Sequence, residues 1–127
     1  MGQALAPAKV LLVEDDPDVR NLAATIMEES DVEVVEVETA EEAIAYMRQH
    51  GGDVAALFVD LNLPGMMDGM DLARAVHSRW PDTAIIATSG DPRDRLEFLP
   101  QGARYMQKPW RALDVMMAVD RAASLRH

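Results

Sequence analysis

Two apolar runs of this 127-residue chain end in acids. "KVLLVE" (9–14) closes on Glu14, with Asp15 next, and "VAALFVD" (54–60) closes on Asp60. A carboxylate is costly to bury unpaired, so an acid at the lip of a buried strand either caps something or does chemistry. If the three met in one pocket, each like-charged pair at about 4 Å would cost roughly 4 kcal/mol at an effective dielectric of about 20. Raised pKa values, a bound cation or a lysine must offset that repulsion. The chain has no cysteine, so its donors are oxygens, which suit a hard divalent ion. Mg2+ fits best because it keeps several waters and uses few carboxylates, with Mn2+ the alternative. Two further runs end usefully. "TAIIATS" (83–89) delivers Thr88 and Ser89 hydroxyls ahead of Gly90, and "ARYMQK" (103–108) delivers Lys108 ahead of Pro109. A lysine at the same lip can pair with the acids and hold an anionic oxygen as a point charge. Asp16 and Asp18, by contrast, read as helix-capping or solvated acids.

Positioning these ends requires an alternation of strands and helices, and the chain shows one. After the first run, Val19, Leu22, Ala23, Ile26 and Met27 mark one helical face, with Asp16 as N-cap and Pro17 as first helical residue. "VEVVEVE" (32–38) is a strand of mixed polarity. Thr39 and Glu42 then form a capping box, Ala40, Ala43, Ile44 and Met47 the stripe, and Gly51 the stop. A helix over 69–80 is ended by Pro81, a short helix over 91–100 by Pro100, and a last helix spans 111–125. Five β-α units predict a parallel sheet covered on both faces. Runs 10–13, 54–59 and 84–87 are apolar throughout and suit interior strands, whereas 32–38 and 103–108 suit edges. The strand order is then 2-1-3-4-5, a three-layer doubly wound α/β fold of flavodoxin-like type with five helices. Ligands in such folds bind beyond the carboxyl ends of the strands, at the switch point between strands 1 and 3, where Glu14, Asp15 and Asp60 lie. Residues 1–8 read as a flexible tail and 9–127 as one domain.

Composition excludes several classes. The net charge of −10 disfavours direct contact with nucleic acid. No apolar run approaches a membrane span, and the N-terminus has no basic lead of a secretion signal. Absence of cysteine suits a reducing cytoplasm.

The joint pattern of an acid pair after strand 1, Asp after strand 3, a hydroxyl after strand 4 and Lys-Pro after strand 5 resembles the receiver domain of two-component response regulators. The match runs from about Lys9 to Leu125. The resemblance implies that Asp60 accepts a phosphoryl group from a sensor histidine kinase or histidine phosphotransfer protein. It implies Mg2+ on Asp15, Asp60 and the Asn62 backbone carbonyl, with Glu14 acting through a water. Ser89 would hydrogen-bond the phosphoryl group, Lys108 would ion-pair with it, and the Lys108–Pro109 peptide would be cis. Tyr105 matches the aromatic that swings inward on switching. Asn62 and Asp91 match positions that tune self-dephosphorylation, implying a fairly short-lived phosphoryl state. Such a domain is not an enzyme beyond its own phosphorylation and dephosphorylation. It would be a monomer or weak dimer, standing alone or excised from a hybrid kinase.

Two departures stand out. "DLNLPGMMDG" (60–69) holds one residue more between Pro64 and Asp68 than the usual pattern, and Ser89 to Lys108 is a few residues shorter. The loss falls on the fourth helix, expected to be short and mobile. Met116, Met117 and Trp110 could make an adaptable partner surface, one of the adjacent methionines being exposed. His50, His77 and His127 have no ligand partner at useful spacing. A phosphorylation-independent pseudo-receiver is the main alternative. A flavin-binding fold is disfavoured because "VEDDPDV" (13–19) puts acids where a phosphate loop is needed.

Overall fold

A computed structural model describes residues 7–91, 93–94 and 96–125. Most of the tail expected over 1–8 lies outside the described residues, as does His127; the first strand already begins at Ala8. In chain order the elements are β1 (Ala8–Val13), α1 (Pro17–Met27), β2 (Val32–Val37), α2 (Ala40–His50), β3 (Val54–Asp60), α3 (Gly69–Arg79), β4 (Ala84–Ser89), β5 (Arg104–Gln107) and α4 (Ala112–Ser124), with 3-10 turns at Gly51–Asp53 and Leu96–Phe98. The five strands are parallel in the order β2-β1-β3-β4-β5, as their polarity predicted.

Strand alternation divides the core in two. Leu11, Val13, Leu57 and Val59 point to the side of α2 and α3, where Ala43, Met47, Leu72 and Val76 meet them. Val10, Leu12, Ala56 and Phe58 point to the other side, against Ala23 and Met27 of α1 and Val115 and Val119 of α4. Each large apolar side chain taken fully out of water contributes about 1.5–3 kcal/mol. β3 is buried along its whole length, with Asp60 at its end.

The helix starts follow their caps. Asp16 accepts from the backbone N–H of Asp18 and Val19 at 2.9 and 3.3 Å, and Thr39 accepts from Glu42 at 3.1 Å. The Glu42 carboxylate reaches back one residue further than expected, to the Glu38 N–H at 3.3 Å. Asp68 and Asp71 form a full capping box at the start of α3.

Two expectations are corrected, and one is met in a different geometry. Among the described residues the fold has four α-helices, and those between 91 and 100 show only the 3-10 turn at Leu96–Phe98. A stretch this short, ended by Pro100, cannot recover the cost of helix nucleation. Gly51 stops α2 as expected, in right-handed geometry, and leads into a 3-10 turn. Its lack of a side chain also serves a close approach, since a Cβ there would lie 2.3 Å from Trp80 Nε1. Leu22, assigned to the apolar face of α1, is 57% exposed and lies beside Pro109 and Trp110. No helix among the described residues is long and apolar enough to cross a membrane.

Candidate functional site

Register brings the strand ends together. Val13 pairs with Val59, Asp60 with Thr88, and Ser89 with Gln107. Glu14, Asp60, Ser89 and Lys108 therefore emerge side by side at the carboxyl edge of the sheet. Lys108 Nζ donates to Glu14 Oε1 at 2.7 Å and to Asp60 Oδ2 at 2.9 Å. Both acids are buried, Glu14 at 3% and Asp60 at 6% exposure. Asp15 is exposed beside them, and the carboxylates of Glu14, Asp15 and Asp60 each bring an oxygen within 4.8 Å of the others.

Backbone donors complete the pocket. The Asn62 N–H donates to Asp60 Oδ1 at 2.9 Å and the Asp16 N–H to Glu14 Oε2 at 3.2 Å. Arg20 holds the Glu14 carbonyl at 2.9 Å while pairing with Glu36 and Glu38 of the β2 edge. The Lys108–Pro109 peptide is cis, and the Lys108 N–H bonds the Ser89 carbonyl at 2.9 Å. Burial raises the Glu14 carboxyl above its ordinary value, although the Lys108 hydrogen bond pulls the other way. For Lys108 burial acts downward, but its bonds to Glu14 and Asp60 outweigh it and the ammonium rises. Three carboxylates facing one ammonium leave the pocket negative. All of its donors are oxygens, at a spacing that fits a small divalent cation with part of its water shell.

The remaining residues separate into two groups. Tyr105 is half-buried against the core, with its hydroxyl donating to the Ser89 carbonyl at 3.2 Å. The Asp91 carboxylate turns outward to Arg93, accepting from Nε at 3.0 Å and Nη2 at 2.9 Å, and that hydrogen bond keeps it below the usual range. Its N–H donates to Ser89 Oγ at 3.0 Å. Asp94, which the sequence did not single out, reaches the pocket. Its Oδ2 accepts from the Ser89 hydroxyl and from Asn62 Nδ2 at 3.3 Å. Burial raises the Asp94 carboxyl, against the lowering effect of Asn62. The shortened connection before β5 was the available signal, since without a helix the chain folds back over the site.

The extra residue after Asp60 is taken up at the tip of the loop. Gly65 adopts φ of 106°, Met66 is fully exposed and Met67 turns back onto the core. Beside the acids, Val19, Leu22, Pro109, Trp110 and the Lys108 stem line an apolar hollow of about 320 Å³. The Trp110 ring meets Phe58 edge-on at 5.6 Å.

A doubly wound sheet with an acid cluster and a lysine at its switch point defines a class, the phospho-receiver-like α/β domains. Within it, the family model for the response regulator receiver domain matches residues 10–120, and the chain belongs to that family. Transcriptional regulatory protein TcrA of Mycobacterium tuberculosis is 35% identical over 121 residues, covering 93% of this chain and 46% of TcrA. Response regulator protein FleR of Pseudomonas aeruginosa is 34% identical over 119 residues, covering 91% of this chain and 24% of FleR. The chain thus spans less than half the length of these relatives. A response regulator receiver domain protein from Clostridium thermocellum superimposes with a TM-score of 0.83 at 23% identity, over 94% of this chain and 96% of that one. The signal receiver domain of an HD domain-containing protein from Pseudomonas fluorescens gives 0.84 at 22%, over 95% and 98%. These two establish the shared fold.

Proposed function

We propose that Asp60 is the phosphoryl acceptor of a two-component or phosphorelay system in the cytoplasm, and that its modification switches protein–protein contacts. The observation that carries this reading is the bonding of Lys108 to both Glu14 and Asp60, with Asp15 alongside. An ionised Asp60 oxygen attacks the phosphorus of a phosphohistidine presented by a histidine kinase or phosphotransfer protein. A new P–O bond forms as the P–N bond breaks, and the imidazole nitrogen departs with the electron pair. Mg2+ held by Asp15, Asp60 and the Asn62 carbonyl, with Glu14 reaching it through water, would supply charge stabilisation for the in-line transfer. Lys108 is placed to follow the charge from the carboxylate to a phosphoryl oxygen, and Ser89 to donate to another. Tyr105, bonded to the Ser89 carbonyl, is placed to respond to any movement of that hydroxyl. Asn62, beside the acceptor, and Asp91 would set the lifetime of the acyl phosphate, Asp91 through its N–H on Ser89 Oγ because its carboxylate is drawn outward to Arg93. Leu22 and Trp110 give apolar surface beside the acceptor for the partner, and Met117, 55% exposed on α4, extends the side available for contacts.

Incubation with a small phosphodonor and Mg2+ should add one phosphoryl group to the wild type, read by intact mass, and none to Asp60→Asn. No gain in either would favour a phosphorylation-independent interaction module. Mg2+ alone gives a separate check. At about a hundred times its dissociation constant it should stabilise the fold by about 2.7 kcal/mol in denaturant melts. Asp15→Asn should lose most of that gain while folding normally, because Asp15 is exposed and makes no core contact.

A further inference from the structure

The proposed reaction needs the Ser89 hydroxyl proton for a phosphoryl oxygen, yet here that proton is already given away. Ser89 Oγ donates to Asp94 Oδ2, and the same oxygen accepts from Asn62 Nδ2 at 3.3 Å. Asn62 Nδ2 also lies 3.2 Å from Ser89 Oγ. Side chains from the end of β4, the loop after β3 and the connection before β5 thus close on one carboxylate oxygen. A serine has one proton to donate. Carboxylate and phosphoryl oxygens are anionic acceptors of the same kind, and both favour charge-assisted bonds. With a phosphoryl group on Asp60, Asp94 would face a second anion while competing for the same donor.

Resting on the proposed phosphorylation of Asp60, we infer that Asp94 is an internal anion seated on the phosphoryl-oxygen subsite, a latch that must release Ser89 and Asn62 for the modified state to form. The fold explains why Asp94 can do this. An α-helix after β4 would carry the residue five positions beyond Ser89 away from the site, whereas this connection turns at once. The Asp94 N–H bonds the Asp91 carbonyl at 3.2 Å and the Leu96 N–H bonds the Asp94 carbonyl at 3.1 Å. Two bonds with Arg93 draw the Asp91 carboxylate outward, which leaves the inward place to Asp94. The latch also gives the signal a route out. The segment it holds continues into Leu96 and Phe98, both partly exposed, and into Leu99, which packs on the core. Repulsion of Asp94 by a new phosphoryl group acts on that segment directly.

The test compares wild type, Asp94→Ala, the near-isosteric Asp94→Asn and the charge-keeping Asp94→Glu, all full-length. Without phosphodonor, the side-chain amide signals of Asn62 in a nitrogen-15 spectrum should move in Asp94→Ala, and amide exchange across 96–99 should quicken. With Mg2+ and a small phosphodonor, Asp94→Ala and Asp94→Asn should be phosphorylated roughly tenfold faster than wild type, the size expected for loss of one charged hydrogen-bonding group. Asp94→Glu should stay near the wild-type rate. Equal or slower phosphorylation of Asp94→Ala, beside a wild type that is phosphorylated normally, overturns the latch while leaving the acceptor role of Asp60 intact. If wild type and all three variants take no phosphoryl group, the acceptor role fails and the latch fails with it. Unmoved Asn62 signals in Asp94→Ala remove the contact on which the inference stands.

Discussion

Replacement of Lys108 by methionine is expected to lower stability near neutral pH by about 3 kcal/mol, with part of the loss returning on acidification. Methionine keeps the unbranched stem and removes the charge. What remains is a pair of carboxylates, Glu14 and Asp60, at 3% and 6% exposure, without the ammonium that lies 2.7 and 2.9 Å from them. Removal of one partner from a buried ion pair typically costs about 3–5 kcal/mol. The low end applies because Lys108 itself is only half-buried and water can reach the gap. The sign with pH follows from Glu14. Burial already raises its carboxyl above 4.5, and the Lys108 bond is the first influence opposing that rise, so the variant raises it further. A carboxyl with a folded-state pKa above its unfolded value binds more protons when folded. Its contribution to stability therefore falls as pH rises through that window and is regained as pH falls. Lys108 runs the other way in the wild type. Its ammonium is raised above 10.5 by the two acids despite burial, so its contribution is complete at neutral pH and is lost only as pH climbs through the raised value. Urea melts at about pH 7.5 and about pH 5 should show the gap between variant and wild type narrowing at the lower pH. A gap of equal size at both would mean that the acids do not depend on Lys108. Saturating Mg2+ should also narrow it, since a divalent cation offsets the same charges.

Much of this was legible because polarity and position are coupled in a parallel sheet. Interior strands must be apolar on both faces, so the three fully apolar runs fixed the centre of the sheet and the two mixed runs its edges. Once that order was set, Glu14, Asp60, Ser89 and Lys108 had to share one edge, whatever the loops did. The loops were less legible because their shape depends on tertiary contacts that leave no periodic trace. Leu22 lies on the helical stripe that names the core, yet the stripe is wider than the buried face, and the chain around Pro109 and Trp110 leaves it outside. Gly51 was legible as the stop of α2, but not the close approach of Trp80 that also requires a glycine there. Asp94 stayed hidden for a related reason: in a helix it would face away, and only the collapse of that helix to one 3-10 turn brings it over Ser89.

The second large effect is expected at Gly69, where two principles predict opposite signs. Gly69 is the first residue of α3. Alanine is better than glycine in a helix by about 1 kcal/mol, so propensity alone predicts that Gly69→Ala stabilises the protein. Packing predicts the reverse. A Cβ at Gly69 would lie 2.0 Å from the Asp60 carbonyl oxygen, 2.6 Å from Leu61 Cα and 2.7 Å from the Asp60 carbonyl carbon. These are backbone atoms, which cannot rotate away as the tip of a side chain can. The Gly69 N–H also bonds the Leu61 carbonyl at 3.2 Å, closing the loop that carries the extra residue. Relief of the overlap must therefore move either the start of α3 or the end of β3, and β3 is packed on both faces. Overpacking costs about 1–3 kcal/mol where side chains can adjust, and occasionally more; with only backbone to move, a net loss near 3 kcal/mol is expected. Gly52→Ala is the matched control, because a Cβ there meets nothing within 4 Å, and it should stay within about 0.5 kcal/mol of wild type. Because the atoms that must yield belong to Asp60 itself, Gly69→Ala should also weaken Mg2+ binding severalfold under conditions where the variant remains folded. A stable Gly69→Ala with unchanged Mg2+ affinity would mean that the loop, not the strand, sets the position of the acceptor.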